Sequence, residues 1–315
     1  MNISAPLVSV GIPTYNRVAL LGRAVESVIS QDYQNLEIII SDNASTDSTA
    51  SVCADFTRSD DRVRYIRQEI NCGSTANFLS VLTHARGELF MWLADDDWLD
   101  RSYISSCARV LLENPDYELA CGRPKYYENG RPQVVEAESS LLDSAPSARV
   151  VSYYRQVGYN GTFYGLMRRE RATKISLRHE LAADWFFVAA VAYLGKVEVI
   201  EDACIHRSMN GASKNIQTLA FELGHRGGAA KNAMLVHDRI AQMVFKDIVW
   251  RSYVYRQLGV ASRLKLGTQA FGAVFSKYCM PVYLRRLQEF LDTYAVGRAI
   301  QRLLDRYVIW RFRRR

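Results

Sequence analysis

The stretch ELFMWLADDDW at positions 88–98 decides how this chain is read, because an apolar run ends there in three consecutive carboxylates. Leu89, Phe90, Met91, Trp92 and Leu93 predict a strand covered on both faces, since near-continuous apolar sequence suits the interior of a mostly parallel sheet. Asp95, Asp96 and Asp97 then fall at its carboxyl end, the edge where open α/β sheets bind ligands. Three adjacent anions repel one another unless a cation or strong donors lie between them. A hard divalent ion suits such a place: magnesium takes oxygen ligands, commonly one or two carboxylates, with water and substrate phosphate filling the remaining positions. The competing reading is an acidic helix start, since Asp is favoured at an N-cap and positions 98–112 have helical character.

Upstream, LVSVGI at 7–12 is a short β-branched run ending in Pro13, Thr14, Tyr15 and Asn16, and positions 17–30 carry apolar residues at helical spacing. LEIII at 36–40 predicts a second buried strand ending in Ser41, Asp42 and Asn43. Positions 63–67 predict a weaker third strand. NCGS at 71–74 turns into a helix bearing Phe78, Leu79, Val81 and Leu82, which Arg86 and Gly87 are expected to close through a cation and a left-handed glycine. This alternation predicts a right-handed, doubly wound sheet whose ligand edge gathers positions 13–16, 42–43, 71–77 and 95–97. No G-x-G-x-x-G follows the first strand and no G-x-x-x-x-G-K-[ST] occurs, which argues against dinucleotide and P-loop chemistry. The phosphates of a bound nucleotide then need another counter-charge, which a metal on the Asp triplet would supply.

The succession VSVGIPTYNR (8–17), EIIISDNASTDST (37–49), N-x-G (71–73) and GELFMWLADDDW (87–98) resembles family 2 glycosyltransferases, inverting enzymes of the GT-A fold. The resemblance implies an α/β, Rossmann-like, mostly parallel mixed sheet, a nucleoside-diphosphate sugar donor (UDP or dTDP) and a Mn²⁺ or Mg²⁺ cofactor. It implies that Pro13 and Tyr15 line the base pocket, that Asp42 accepts a hydrogen bond from the base, and that Asn77 lies at the nucleotide. Asp95 would face the ribose or metal, and Asp96 would coordinate the ion, with Asp97 beside it. The family pattern often reads Asp-x-Asp-Asp here, whereas this chain has Ala94 in the first place, which leaves Asp96 as the expected direct ligand. Many members carry Arg where Ala76 stands. Asp184 follows Asp96 by 88 residues, a separation similar to that between the family's metal motif and its general base. At the start of the apolar run WFFVAAVAYLG it could equally be an N-cap, and Glu180 is the alternative base. His206 opens a Gly/Ser/Asn/Lys stretch where some related enzymes close a flap over the donor. It is read as a further metal or phosphate contact, with Arg207 and Lys214 on the diphosphate.

In VGYNGTFYGLM at 157–167 and just before it, Tyr153, Tyr154, Tyr159, Phe163 and Tyr164 are either sugar-stacking platforms or an aromatic core with turn glycines. Positions 197–200 and 203–205 read as edge strands. The 315 residues, 49% hydrophobic and 23% charged, suit a large folded domain plus an appendage. Six scattered cysteines without zinc spacing read as buried thiols in a reducing compartment. The first residues lack the basic region of a secretory signal, and no run of about 20 apolar residues is present.

Charge divides the chain. Positions 221–315 hold 18 Lys/Arg against 6 Asp/Glu, a net +12 within a total of +7, so positions 1–220 carry −5. With the polar stretch 210–218 this predicts a catalytic domain over 1–214 (nucleotide-sugar half 1–100, acceptor half 101–214) and a basic helical region over 215–315. That region is either a helical cap or a membrane-surface module, because basic amphipathic helices with Trp, Tyr and Phe bind anionic lipid. Nucleic acid is disfavoured as a partner by the acidic first half and the lack of a recognised module. The expected function is sugar transfer to a glycan, lipid-linked, in surface polysaccharide (O-antigen or capsule) synthesis, peripheral on the inner face of the cytoplasmic membrane. The rivals are a sugar nucleotidyltransferase, which resembles this sheet but carries a Gly-rich, Arg-containing loop absent here, and a membrane scaffold without catalysis.

Overall fold

The computed structural model describes residues 5–136, 138–211 and 233–293. Four strands form its first half: β1 (Val8–Thr14), β2 (Leu36–Asp42), β3 (Val63–Arg67) and β4 (Leu89–Trp92), separated by α1 (Val18–Ile29), α2 (Thr49–Ser59) and α3 (Ser74–His84). They pair in parallel in the order β3-β2-β1-β4, with Thr14 beside Asp42 and Asp42 beside Arg67. Every residue of β1, β2 and β4 is buried, as mostly apolar strands covered on both faces should be, and the buried Glu37 and Asp42 of β2 have hydrogen-bond partners. In α1 the inward stripe is Leu21, Ala24, Val25 and Val28.

The decisive stretch does not start a helix at its end. After Trp92 the chain leaves the sheet, turns through Asp95 and Asp96, and forms a two-residue strand β5 (Trp98–Leu99) before α4 (Tyr103–Glu113) begins. The helix expected from 98 therefore starts five residues later, and the triplet caps no helix. β5 exists because its backbone pairs with Ile205 and His206. Gly87 also departs from expectation: α3 ends at His84, and Gly87 has no left-handed φ. A side chain there would come within 2.5 Å of the Leu7 carbonyl, so close strand approach explains the glycine.

The second half adds β6 (Tyr117–Glu128), β7 (Arg131–Gln133), α5 (Pro146–Gln156), a 3-10 turn (Gly161–Tyr164), β8 (Leu166–Arg168), the short α6 (Arg169–Ala172), α7 (Ala183–Leu194) and β9 (Lys196–Ser208). The sheet continues β4-β8-β6-β9-β5, with β8 antiparallel to both neighbours. β7 folds back on β6 through Asn129 and Gly130, both at positive φ as a tight hairpin turn demands. The two edge strands read between 197 and 205 are one strand, β9, lying inside the sheet between β6 and β5. A register shift opposite Gly122 and Arg123 accommodates Glu201 and Asp202.

One face of the sheet is covered by α1 and α4, the other by α3, α5 and α7. Trp92 ties this second layer to the end of β4. Its ring stacks on Phe163 at 4.8 Å and meets Phe187 edge-on at 5.1 Å, while Nε1 donates to the Phe78 carbonyl. The C-terminal helices α8 (Ala233–Lys246) and α9 (Val260–Tyr278) join that layer through Ile240, Val244, Leu266 and Val274, with a π-helical turn (Asp247–Arg251) between them. α10 (Met280–Thr293) differs, because Met280, Tyr283, Leu284 and Leu287 form an apolar stripe open to solvent. Among the described residues no helix is long and apolar enough to cross a membrane. Five cysteines are buried, whereas Cys72 is exposed, contrary to its reading as a buried thiol.

Candidate functional site

The strand ends bring the four predicted segments together. Asn77 in α3 donates through Nδ2 to the Thr14 carbonyl at 3.1 Å and the Ser41 carbonyl at 3.0 Å, stitching β1 to β2. Its Oδ1 is buried without a partner, an unfilled acceptor at this edge. Asn43 bonds Asn71 and the Cys72 amide, holding the N-x-G turn against β2. Pro13 is buried within β1, and Tyr15 is 43% exposed at its mouth. Asp42 is fully buried: Oδ1 accepts from the Ser45 amide and Oδ2 from the Tyr65 hydroxyl at 2.7 Å. In this geometry Asp42 sets the floor of the edge and does not project from it.

The carboxylate triplet splits into two functions. Asp95 accepts from Thr14 Oγ1 at 2.7 Å and from Arg17 Nη1 at 3.3 Å. Asp96 meets the same Arg17 nitrogen at 2.9 Å. One guanidinium therefore already lies between these two anions, where the sequence argument asks for a cation. Arg17 stands in the quoted PTYNR motif, yet nothing local signals its partners 78 and 79 residues away. Asp97, only 1% exposed, faces the other way and accepts from the Ser208 amide at 2.8 Å and from Arg207 Nε at 3.1 Å. Asp97, read as a metal ligand beside Asp96, thus ties the triplet to β9 in this structure.

His206, read as a further metal or phosphate contact, sits among other partners in this structure. Its Nε2 meets Asp100 at 2.8 Å, its Nδ1 meets the Tyr127 hydroxyl, and its ring stacks on Trp98, so both nitrogens are engaged away from Asp96. Arg207, expected on the diphosphate, is bound to Asp97 and to the Tyr159 carbonyl. The chain after it returns to the site, because a Cβ on Gly211 would lie 3.0 Å from Asp96 Oδ2. Lys214 lies outside the described residues.

Burial is the first cause of the unusual acidities here. It pushes Asp95 and Asp97 each up to about 6, against the pull of Arg17 and Arg207 respectively, and the neighbouring carboxylates reinforce the rise. Folding thus favours their protonated forms, and stability attached to them is lost as pH rises from the ordinary carboxylate range through about 6. A bound cation would reverse that loss.

No three His, Cys, Asp or Glu side chains converge as a closed metal cage among the described residues. The arrangement suits an ion that takes Asp96, with Asp95 beside it, and completes its shell with water and phosphate, as magnesium and manganese do with hard oxygen ligands.

Asp184 lies in the first turn of α7, after Ala182 at φ 59°. Asn160 Nδ2 donates to its Oδ2 at 2.8 Å, and burial raises its pKa while that bond lowers it. Glu180, the alternative base, has both oxygens in ion pairs, with Arg178 at 2.5 Å and Arg251 at 2.7 Å. Both Glu180 oxygens are thus engaged by cations, whereas Asp184 accepts from the neutral amide of Asn160. Arg207 spans the two halves, since one side of its guanidinium holds Asp97 and the other the backbone just before Asn160. Of the aromatic residues, Tyr153, Tyr154 and Phe163 are core, while Tyr159 is 55% exposed.

A profile described as glycosyl transferase family 2 matches residues 9–175. A Campylobacter jejuni GalNAc(5)-diNAcBac-PP-undecaprenol β-1,3-glucosyltransferase is 42% identical over 95 residues, 30% of this chain and 31% of that protein. Escherichia coli chondroitin synthase is 26% identical over 238 residues, 69% of this chain and 31% of that protein. The chain thus spans about a third of each of these relatives. Among solved structures, S. aureus TarS 1–349 in complex with UDP-GlcNAc superposes with a TM-score of 0.61 at 18% identity, covering 85% of this chain and 72% of that one. The mannosyltransferase PcManGT from Pyrobaculum calidifontis, in complex with GDP-Man and Mn²⁺, does so with a TM-score of 0.53 at 17% identity, covering 94% and 83%. These likenesses identify the fold as GT-A. With the profile running from β1 past β8 across more than half of the sequence, the chain belongs to glycosyl transferase family 2.

Proposed function

We propose that this protein is a metal-dependent, inverting glycosyltransferase that moves a sugar from a nucleoside-diphosphate donor, UDP or dTDP, to a hydroxyl of a lipid-linked glycan in surface polysaccharide synthesis. The observation carrying this reading is the pair Asp95 and Asp96 in the turn after β4, with the carboxylate of Asp184, held by Asn160, in the first turn of α7. The donor's base would stack on Tyr15 over the floor formed by Asp42 and Tyr65, and Asn77 would offer its unfilled acceptor. Asp96, with Asp95, would hold Mn²⁺ or Mg²⁺, which when bound offsets charge on the leaving diphosphate. Asp184 takes the proton of the acceptor hydroxyl as that oxygen attacks the anomeric carbon and the bond to the diphosphate breaks. The lipid-linked acceptor is supported by the name of the Campylobacter relative. A screen of nucleotide sugars with a lipid-linked glycan should give nucleotide release that requires Mn²⁺ or Mg²⁺. Pyrophosphate release from a nucleoside triphosphate and a sugar phosphate would favour a nucleotidyltransferase instead.

Residues 1–214 form the proposed catalytic unit and 215–315 its helical extension, peripheral on the cytoplasmic face of a membrane. Support comes from the α10 stripe, spaced i, i+3, i+4, i+7, and from Arg285 and Arg286 exposed on the same helix. The expected result is that Leu284→Glu with Leu287→Glu abolishes flotation on anionic liposomes at low salt. Flotation equal to wild type would remove α10 from the interface.

A further inference from the structure

Asn160 precedes the 3-10 turn in the left-handed region, at φ 51° and ψ 51°, and is 1% exposed. A non-glycine residue is disfavoured there and persists where its surroundings fix it. Those surroundings are unusually complete. The carbonyl of Tyr159 accepts from Arg207 at 2.8 Å, and the amides of Gly161 and Thr162 both donate to Glu138 at 2.7 Å. The side chain is fixed as firmly as the backbone. An ionised carboxylate only accepts, so the amide nitrogen must face Asp184, at 2.8 Å. The amide oxygen then faces Tyr153, whose hydroxyl donates to it at 2.9 Å from within the core on α5.

We infer that Asn160 is a positioning residue for Asp184, with Tyr153 setting the orientation of its amide, so that the carboxylate is held ionised and aimed when an acceptor hydroxyl arrives. The inference rests on the reading of Asp184 as the general base. The residue type follows from two demands met at once, a left-handed backbone and a neutral donor: glycine meets only the first, and aspartate would place a second anion against Asp184. The groups that face Asp184 are Arg207 from β9, which favours its charge, and the phenols of Tyr153 and Tyr154 from α5 and of Tyr164 from the 3-10 turn. Those phenols stay neutral through the working range, so removal of the Asn160 side chain changes no charge beside Asp184, while Tyr153 loses its acceptor.

Asn160→Gly tests this without forbidding the backbone, because glycine adopts that conformation freely. In the full chain we expect kcat to fall roughly 10- to 100-fold, the scale of a lost orienting hydrogen bond, with donor KM within about twofold. The acid limb of the kcat–pH profile should move to higher pH, since the lost bond favoured the ionised carboxylate. Tyr153→Phe should move both in the same direction by less. Wild-type kcat and acid limb in Asn160→Gly would overturn the inference, as would a fall in kcat with an unmoved limb and a lowered Tm. Asp184→Asn, measured alongside, separates the two claims. An active Asp184→Asn defeats the base assignment itself; an inactive one beside an unperturbed Asn160→Gly defeats only the positioning role.

Discussion

Asp96→Asn is expected to lower turnover by on the order of 10³-fold while leaving the protein folded. The size follows from the several kcal/mol that a divalent ion supplies to the charge of a departing diphosphate, about 4 kcal/mol being three decades in rate. Retention of the fold follows from the surroundings of Asp96. Its carboxylate meets Arg17, itself part-exposed, and Arg17 keeps Asp95 as a second partner. The substituted amide is isosteric and its oxygen can still accept from Arg17, so no buried charge is left without a partner. The amide should also weaken Mn²⁺ binding in the presence of nucleoside diphosphate, measured by calorimetry, and an unchanged turnover would refute the metal assignment.

Asp184→Asn should lower kcat by about 10²- to 10⁴-fold, the range for loss of a general base, with donor binding retained. The amide preserves volume and can still pair with Asn160, so a large loss cannot come from a collapsed helix start. Burial raises the pKa of Asp184 above that of an ordinary carboxylate, which brings it nearer to neutrality and makes it a better proton acceptor. Full activity in this variant would reduce Asp184 to a polar residue at the start of α7.

The first hundred residues were legible because each strand, turn and helix there is announced locally: an apolar run, then Pro, Asn or Asp at its end, then helical spacing. The burial of β1, β2 and β4 follows from composition alone. Errors came where distant pairing decides. Trp98 and Leu99 are a strand only because β9 passes beside them, more than 100 positions later. The same distance hid the bond from Arg207 to Asp97, 110 positions apart, and the engagement of both nitrogens of His206. Nothing in DDDW tells which of its buried carboxylates meets Arg17 and which meets Arg207. Asn160 did leave a signal: Asn before Gly, in a stretch rich in aromatics, marks a left-handed backbone position. Its pairing with Asp184 could be read only from coordinates. Gly87 illustrates the reverse ambiguity, because a glycine after a helix suits a cap as well as a close approach, and the Leu7 carbonyl decides between them.

The measurement that bears most directly on the central claim is an anomalous difference map from crystals soaked with UDP and MnCl₂. The account predicts a manganese peak in the turn after β4, about 2.1 Å from a carboxylate oxygen of Asp96, with diphosphate oxygens completing its shell and Arg17 displaced or shared. A fully occupied ion away from Asp95 and Asp96, or bound nucleotide with Arg17 unmoved and no ion at the turn, would contradict it.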